Sequence, residues 1–74
     1  MESTTHISVF DVMPTQNGRW ALVADGLGIL INCDRAQALE AARLLAQKNR
    51  PSRLVVRGEN GEFESVTPFE LEFR

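Results

Sequence analysis

The stretch Arg35–Asn49 limits the fold more than any other part of this chain. It contains no glycine or proline, and alanine and leucine dominate it; these are among the residues that lose least on entering a helix. Asp34 in front of it is a favoured N-cap, and Gln37 three residues on completes a capping-box spacing. At roughly 100° per residue, Ala38, Leu39, Ala42, Leu45 and Ala46 share one face, with Ala41 at its edge. Glu40, Arg43 and Gln47 lie opposite, Gln37 and Lys48 at the sides, and Leu44 falls outside the apolar stripe. Lys48 and Arg50 suit the negative end of the helix dipole, and Pro51 ends the helix. A stripe of such small side chains lets the helix sit close to a sheet, whose larger side chains must fill the gap. Trp20, Ile7, Val9, Leu54 and Val56 are the expected partners.

Both flanks of this helix read as strands. His6–Val12 alternates and is rich in β-formers. Pro14–Gly18 follows it, and Asn17-Gly18 is a strong hairpin-turn signal. Arg19–Asp25 returns, Gly26-Leu27-Gly28 turns again, and Ile29–Cys33 gives a third short strand. Beyond the helix, Arg53–Arg57 is a fourth strand, Gly58–Gly61 its turn and Glu62–Val66 a fifth, before Pro68 breaks the pattern. Phe69-Glu70-Leu71-Glu72-Phe73 alternates once more; it either pairs as a sixth strand or docks on a second subunit. The expected fold is α+β: a single antiparallel sheet of order β-β-β-α-β-β, with that optional C-terminal strand, and one amphipathic helix packed on one face. Residues 1–74 form one domain.

Length sharpens the problem. A chain of 74 residues buries only about 60% of its unfolded surface, and chains this small usually gain stability from disulfides, a metal or self-association. Cys33 is the only cysteine, so no disulfide closes within the chain. His6 and Cys33 alone cannot supply a tetrahedral zinc site, and no cofactor is expected. The N-terminal residues do not resemble a signal peptide, and no apolar run approaches the ~20 residues that cross a membrane. A lone cysteine also suits a reducing compartment. The chain reads as cytoplasmic, with no membrane partner.

The net charge of −2 argues against a protein devoted to non-specific nucleic-acid binding, but the charge is unevenly placed. Residues 35–57 carry six basic side chains against Glu40 alone, while residues 58–74 carry five glutamates against Arg74. Arg43, Lys48, Arg50, Arg53 and Arg57 gather around the helix C-terminus and the strand after it, and such a set could contact phosphates. No aromatics interleave with it, as single-strand stacking would require. The favoured reading pairs Arg53 and Arg57 with Glu62 and Glu64 across the last hairpin.

Three stretches, Gly18-Arg19-Trp20-Ala21-Leu22, the alanine ladder Ala38, Ala41, Ala42, Leu45 and Ala46, and Leu54–Gly61, carry a resemblance to the domain of unknown function 2188 family of small bacterial proteins. The resemblance spans roughly residues 6 to 66. It implies the fold and no catalytic residues, and the Phe69–Phe73 tail departs from the family pattern. In topology alone, residues 6–48 are also similar to the partly degraded ribonuclease-H-like domain of HicB-type antitoxins.

No residue set suggests catalysis, which needs a nucleophile with its base or a carboxylate pair in a cleft. His6 reads as an exposed strand-end histidine, Cys33 as a small core residue, and Asp11, Asp25 and Asp34 as turn and cap residues. Gly26-Leu27-Gly28 leads into a strand and lacks a third glycine and a lysine, so the phosphate-loop fingerprint fails. Trp20 reads as a core anchor under the helix. Apolar surface is in excess, however. Phe10 and Val12 have the parity opposite to Ile7 and Val9, and with Phe69, Leu71 and Phe73 they exceed what one helix can cover. These five are the candidate interaction residues. The expected function is a non-enzymatic protein-interaction module, a homodimer meeting through sheet faces or edges. The alternative is a nucleic-acid-binding accessory or antitoxin-like protein that uses Arg43, Lys48, Arg50, Arg53 and Arg57.

Overall fold

Five strands and one helix follow the predicted order in the computed structural model of the chain, which describes residues 7–71. They are β1 (Ser8–Pro14), β2 (Trp20–Ala24), β3 (Leu27–Cys33), α1 (Arg35–Lys48), β4 (Ser52–Arg57) and β5 (Phe63–Phe69), with a short 3-10 turn at Gln16–Gly18 between β1 and β2. The strands form one sheet in the order β3-β2-β1-β4-β5.

Turn chemistry sets the two hairpins of the meander. Asn17 and Gly18 take φ of 63° and 72°, the left-handed region that asparagine and glycine enter most cheaply. The second turn is Asp25-Gly26, at φ of 51° and 87°, a two-residue connection with both residues left-handed. The turn expected at Gly26-Leu27-Gly28 therefore sits one residue earlier, and Leu27 and Gly28 already pair with Ala24 and Val23. Asp25 also ties this turn to β1, its Oδ1 accepting from the Val9 N–H at 2.9 Å.

The helix forms as its sequence dictates. Asp34 Oδ1 accepts from the Gln37 N–H at 2.8 Å, and Gln37 Oε1 accepts from the Asp34 N–H at 3.2 Å, a full capping box worth on the order of 1 kcal/mol. Ala38, Ala42 and Ala46 are fully buried, Leu39, Ala41 and Leu45 pack beside them, and Leu44 is exposed. Ser52 fixes the start of β4 to the last helical turn, its buried hydroxyl donating to the Ala46 carbonyl at 2.7 Å.

The sheet is mixed, not antiparallel: β4 lies parallel to β1, with Phe10 beside Leu54 and Val12 beside Val56. Direction explains this. The meander sends β1 and β3 the same way, α1 brings the chain back, and β4 again runs with them. Beside either outer strand of the meander, β4 can only pair parallel.

This register also decides which face of β1 is buried. Phe10 and Val12 share a side with Trp20, Leu22, Leu54 and Val56, and all six form the core beneath α1. Phe10 and Val12 are thus core residues, 4% and 0% exposed, and not the interaction residues expected of an uncovered face. Ile7 and Val9, expected under the helix, have the opposite parity. Ile7 is exposed, Val9 half-buried, and neither belongs to the core.

At the C-terminal end β5 runs straight through Pro68, which pairs with Arg53, so Pro68 does not break the strand. β5 is an edge, where only one side of the strand must supply ladder N–H groups and proline is tolerated. No sixth strand forms among the described residues: Phe69 ends β5 and packs against the core, and Leu71 lies outside the sheet, exposed. Phe73 and His6 lie outside the described residues.

Candidate functional site

Successive strand residues point to opposite faces, so the register defines what the sheet shows on the side away from α1. The middle strand contributes Val9, Asp11 and Met13, and β2 contributes Ala21 and Val23. Beside them stand Arg53, Val55 and Arg57 of β4 and, at the two edges, Ile31 of β3 and Val66 and Pro68 of β5. Among the described residues no helix covers this face. Its middle is nonetheless low and sheltered: Ala21 and Val55 are only 5% and 7% exposed because longer neighbours stand around them. Its rims stand proud, with Ile31, Phe63 and Val66 at 70%, 65% and 53%.

Near one end of the face Arg57 is clamped from three directions. Its Nε reaches Asp11 Oδ1 and Oδ2 at 3.0 and 3.2 Å, and its Nη2 reaches Oδ2 at 3.0 Å. Nη1 donates to the Gly61 carbonyl at 3.2 Å, and the guanidinium carbon lies 4.4 Å from the centre of the Phe63 ring. The pair joins β1 to β4, and its planar fork fits the carboxylate in a way lysine could not. Hydrogen bonding to Asp11 raises the Arg57 pKa above its ordinary value. Arg57→Lys and Asp11→Asn are each expected to lower the urea midpoint. The double variant should fall short of the sum of the two, because both remove one interaction; additive losses in the cycle would mean the pair is not coupled.

Arg53 and Arg57 do not pair with Glu62 and Glu64 as the sequence suggests. The register shifts between Val56 and Arg57, so Ser65 faces Val56, Phe63 faces Arg57, and Glu64 is the extra residue. Glu64 pairs instead with Arg35 of α1 at 2.7 Å, while the Arg35 guanidinium carbon lies 5.5 Å from the centre of the Trp20 ring.

The five basic candidates do not converge. Arg43 and Lys48 are exposed on α1. Arg50, at the helix–strand junction, donates to the Glu70 carbonyl at 2.8 Å and lies 5.4 Å from the centre of the Phe69 ring. Arg53 and Arg57 belong to the opposite face, with the sheet between them and the helix. Among the interaction candidates that lie in the described residues, Phe69 is held by Arg50 and the core, and only Leu71 is exposed. Cys33 is buried, its thiol donating to the Trp20 carbonyl at 3.3 Å. Among the described residues no group of three or more His, Cys, Asp or Glu side chains gathers to hold a metal ion. A shallow groove beside the β1–β2 loop, lined by Pro14, Thr15, Gln16, Asn17, Ile31 and Asn32, offers no charged group to fix a ligand. No helix among the described residues is long and apolar enough to cross a membrane.

An uncovered sheet face was expected from the sequence, but its residues were not: the Asp11–Arg57 clamp and the rim positions Ile31, Phe63 and Val66 were missed. Asp11 itself was the available signal. A carboxylate between Phe10 and Val12 marks its own side of β1 as the one left unburied by the helix.

A family model described as an uncharacterized protein conserved in bacteria (DUF2188) matches residues 10–67, well over half of the chain. The matched span runs from Phe10 in β1 to Thr67 in β5, so it takes in all five strands and the helix. No curated protein and no solved structure matches.

Proposed function

We propose, for a chain that belongs to the DUF2188 family of uncharacterised bacterial proteins, a non-enzymatic role as a protein-interaction module that works as a homodimer. One observation supports this reading: among the described residues, α1 packs on one side of the sheet, and the other side displays Ile31 on one rim and Phe63 and Val66 on the opposite rim. Large apolar side chains left exposed on one face in this way are a common feature of association sites. A short chain with a small core also gains stability from burying more of it. The absence of a disulfide partner for Cys33 suits a reducing compartment, and the cytoplasm is the proposed location.

The nucleic-acid reading gains no support from the dispersal of Arg43, Lys48, Arg50, Arg53 and Arg57 over two faces and a junction. Phosphate binding draws on charges that act together along one surface.

Light scattering on the purified chain at micromolar concentration tests the proposal. The expected mass is twice the 8.3 kDa of one chain, falling towards it on dilution. A concentration-independent 8.3 kDa species would remove the homodimer.

A further inference from the structure

Resting on that reading, we propose that the dimer interface is the open sheet face, packed on the same face of a second copy about a two-fold axis that runs along β1. In this arrangement β3 of one copy lies over β5 of the other, and β2 lies over β4.

The edges are poor interfaces. β3 is bulged twice, at Ile29 and at Asn32, where the pairing with β2 slips and Asn32 takes φ of 66°. β5 carries a bulge at Glu64 and a proline at position 68. Bulges, charges and prolines are the devices that stop a sheet edge from accepting another strand. Extension of the ladder is therefore blocked on both sides, and what remains is the face.

The face is large enough. Five strands about 4.8 Å apart, each about 20 Å long, present roughly 500 Å² per copy, so a stacked pair buries on the order of 1,000 Å². That is near the lower bound for a specific interface and fits a dimer that dissociates on dilution.

Charge and relief choose the axis. Arg53 and Arg57 both stand on β4. A two-fold axis running across the strands would lay β4 over its own copy and press the exposed charge of Arg53 against the arginine-bearing strand of the other copy. An axis along β1 lays β4 over β2 instead, where Ala21 and Val23 are small and uncharged. The same operation carries Ile31, which lies over Gly28 with its δ-methyl 3.0 Å from where a Cβ would sit, towards Phe63 and Val66 of the other copy. Arg57 enters the interface paired with Asp11 and stacked on Phe63, so its own burial leaves no unpaired charge, while Arg53, exposed near the start of β4, keeps its charge at the margin of the face.

The test uses three single variants of the full chain, each at an exposed position so that the monomer folds, as circular dichroism would verify. Ile31→Lys and Val66→Lys place a charge on opposite rims of the face, and Leu44→Lys places one on the outer side of α1. Light scattering over a dilution series should show wild type and Leu44→Lys as dimers of equal affinity. Ile31→Lys and Val66→Lys should each weaken the dimer on the order of a hundredfold, the effect of burying an unpaired charge. A monomeric wild type overturns both the dimer reading and this interface. A wild-type dimer that survives both rim variants, or that Leu44→Lys disrupts, overturns the interface alone. Disruption by Ile31→Lys with Val66→Lys intact points to β3 meeting β3 and overturns the proposed axis.

Discussion

Replacing Trp20 with alanine is expected to lower the unfolding free energy by about 3–5 kcal/mol, a large share of the total for a domain of this size. Trp20 starts β2 at the position that pairs with both Pro14 of β1 and Cys33 of β3. Its ring belongs to the core under α1 and is only 7% exposed. The facing helix offers mainly alanines, which cannot reach across the space an indole vacates, so the cavity stays open and the loss includes the cavity as well as the transfer of the ring. Arg35 above the ring adds a cation–π contact that is partly solvated and small by comparison. Urea denaturation followed by circular dichroism checks this, with an expected drop in midpoint and little change in slope. Trp20→Phe should recover more than half of the loss. A Trp20→Ala variant within 1 kcal/mol of wild type would mean the indole is not what holds the helix to the sheet.

The helix was fully legible because everything that makes it is local. The Asp34–Gln37 box, the alanine stripe and the position of Leu44 outside it follow from spacing alone, and each stands as read. The strands were legible as elements but not in their arrangement. The parallel pairing of β1 with β4 could have been worked out by counting directions, since three meander strands and a returning helix leave β4 no antiparallel partner in that meander. Which face of β1 turns inward could not be read from hydrophobicity, because Ile7 and Val9 on one parity compete with Phe10 and Val12 on the other. What separates them is Asp11, whose carboxylate would be driven into the core if its parity faced the helix. Two proline positions show the same limit. Pro51 ended the helix as expected from local rules, while Pro68 was tolerated because β5 lies at the edge, a fact that belongs to the whole sheet.

The candidate site was less legible than the fold, for the same physical reason. Asp11 and Arg57 are 46 positions apart, and only the parallel register that sets Asp11 beside Val55 brings them together. Local reasoning offers Arg57 the nearest glutamates of its own hairpin, and a one-residue bulge then turns Glu64 towards Arg35 instead. The basic segment illustrates the opposite error. Closeness in sequence suggests a single patch, but a helix, a junction and a strand distribute the same residues to different sides. Exposed apolar side chains occur at Ile31, Phe63 and Val66, not at Phe10 and Val12, which the parity of β1 places in the core.

The close approach of helix and sheet makes a prediction in which packing and helix propensity disagree. Ala42 is fully buried at the centre of the stripe, between Ala38 and Ala46. By propensity, leucine there should be nearly neutral and glycine should cost about 1 kcal/mol. Leucine, however, adds three carbon atoms to a space already filled by the core of β1, β2 and β4, and the helix must lift or tilt to admit them. Over-packing costs typically 1–3 kcal/mol, and lifting α1 would also loosen Ala38 and Ala46, so Ala42→Leu is expected near about 3 kcal/mol. The stability order is then Ala, Gly, Leu, the reverse of propensity for the last two, and thermal or urea denaturation of the three proteins reads it directly. If leucine proves more stable than glycine, the gap between helix and sheet is wider than the buried alanines imply. Ala42→Gly and Ile31→Lys separate the two sides of the sheet. Ala42 lies on the covered side, so Ala42→Gly should lower stability and leave dimer affinity untouched, whereas Ile31→Lys should weaken the dimer and lower stability only by the share that dimerisation supplies.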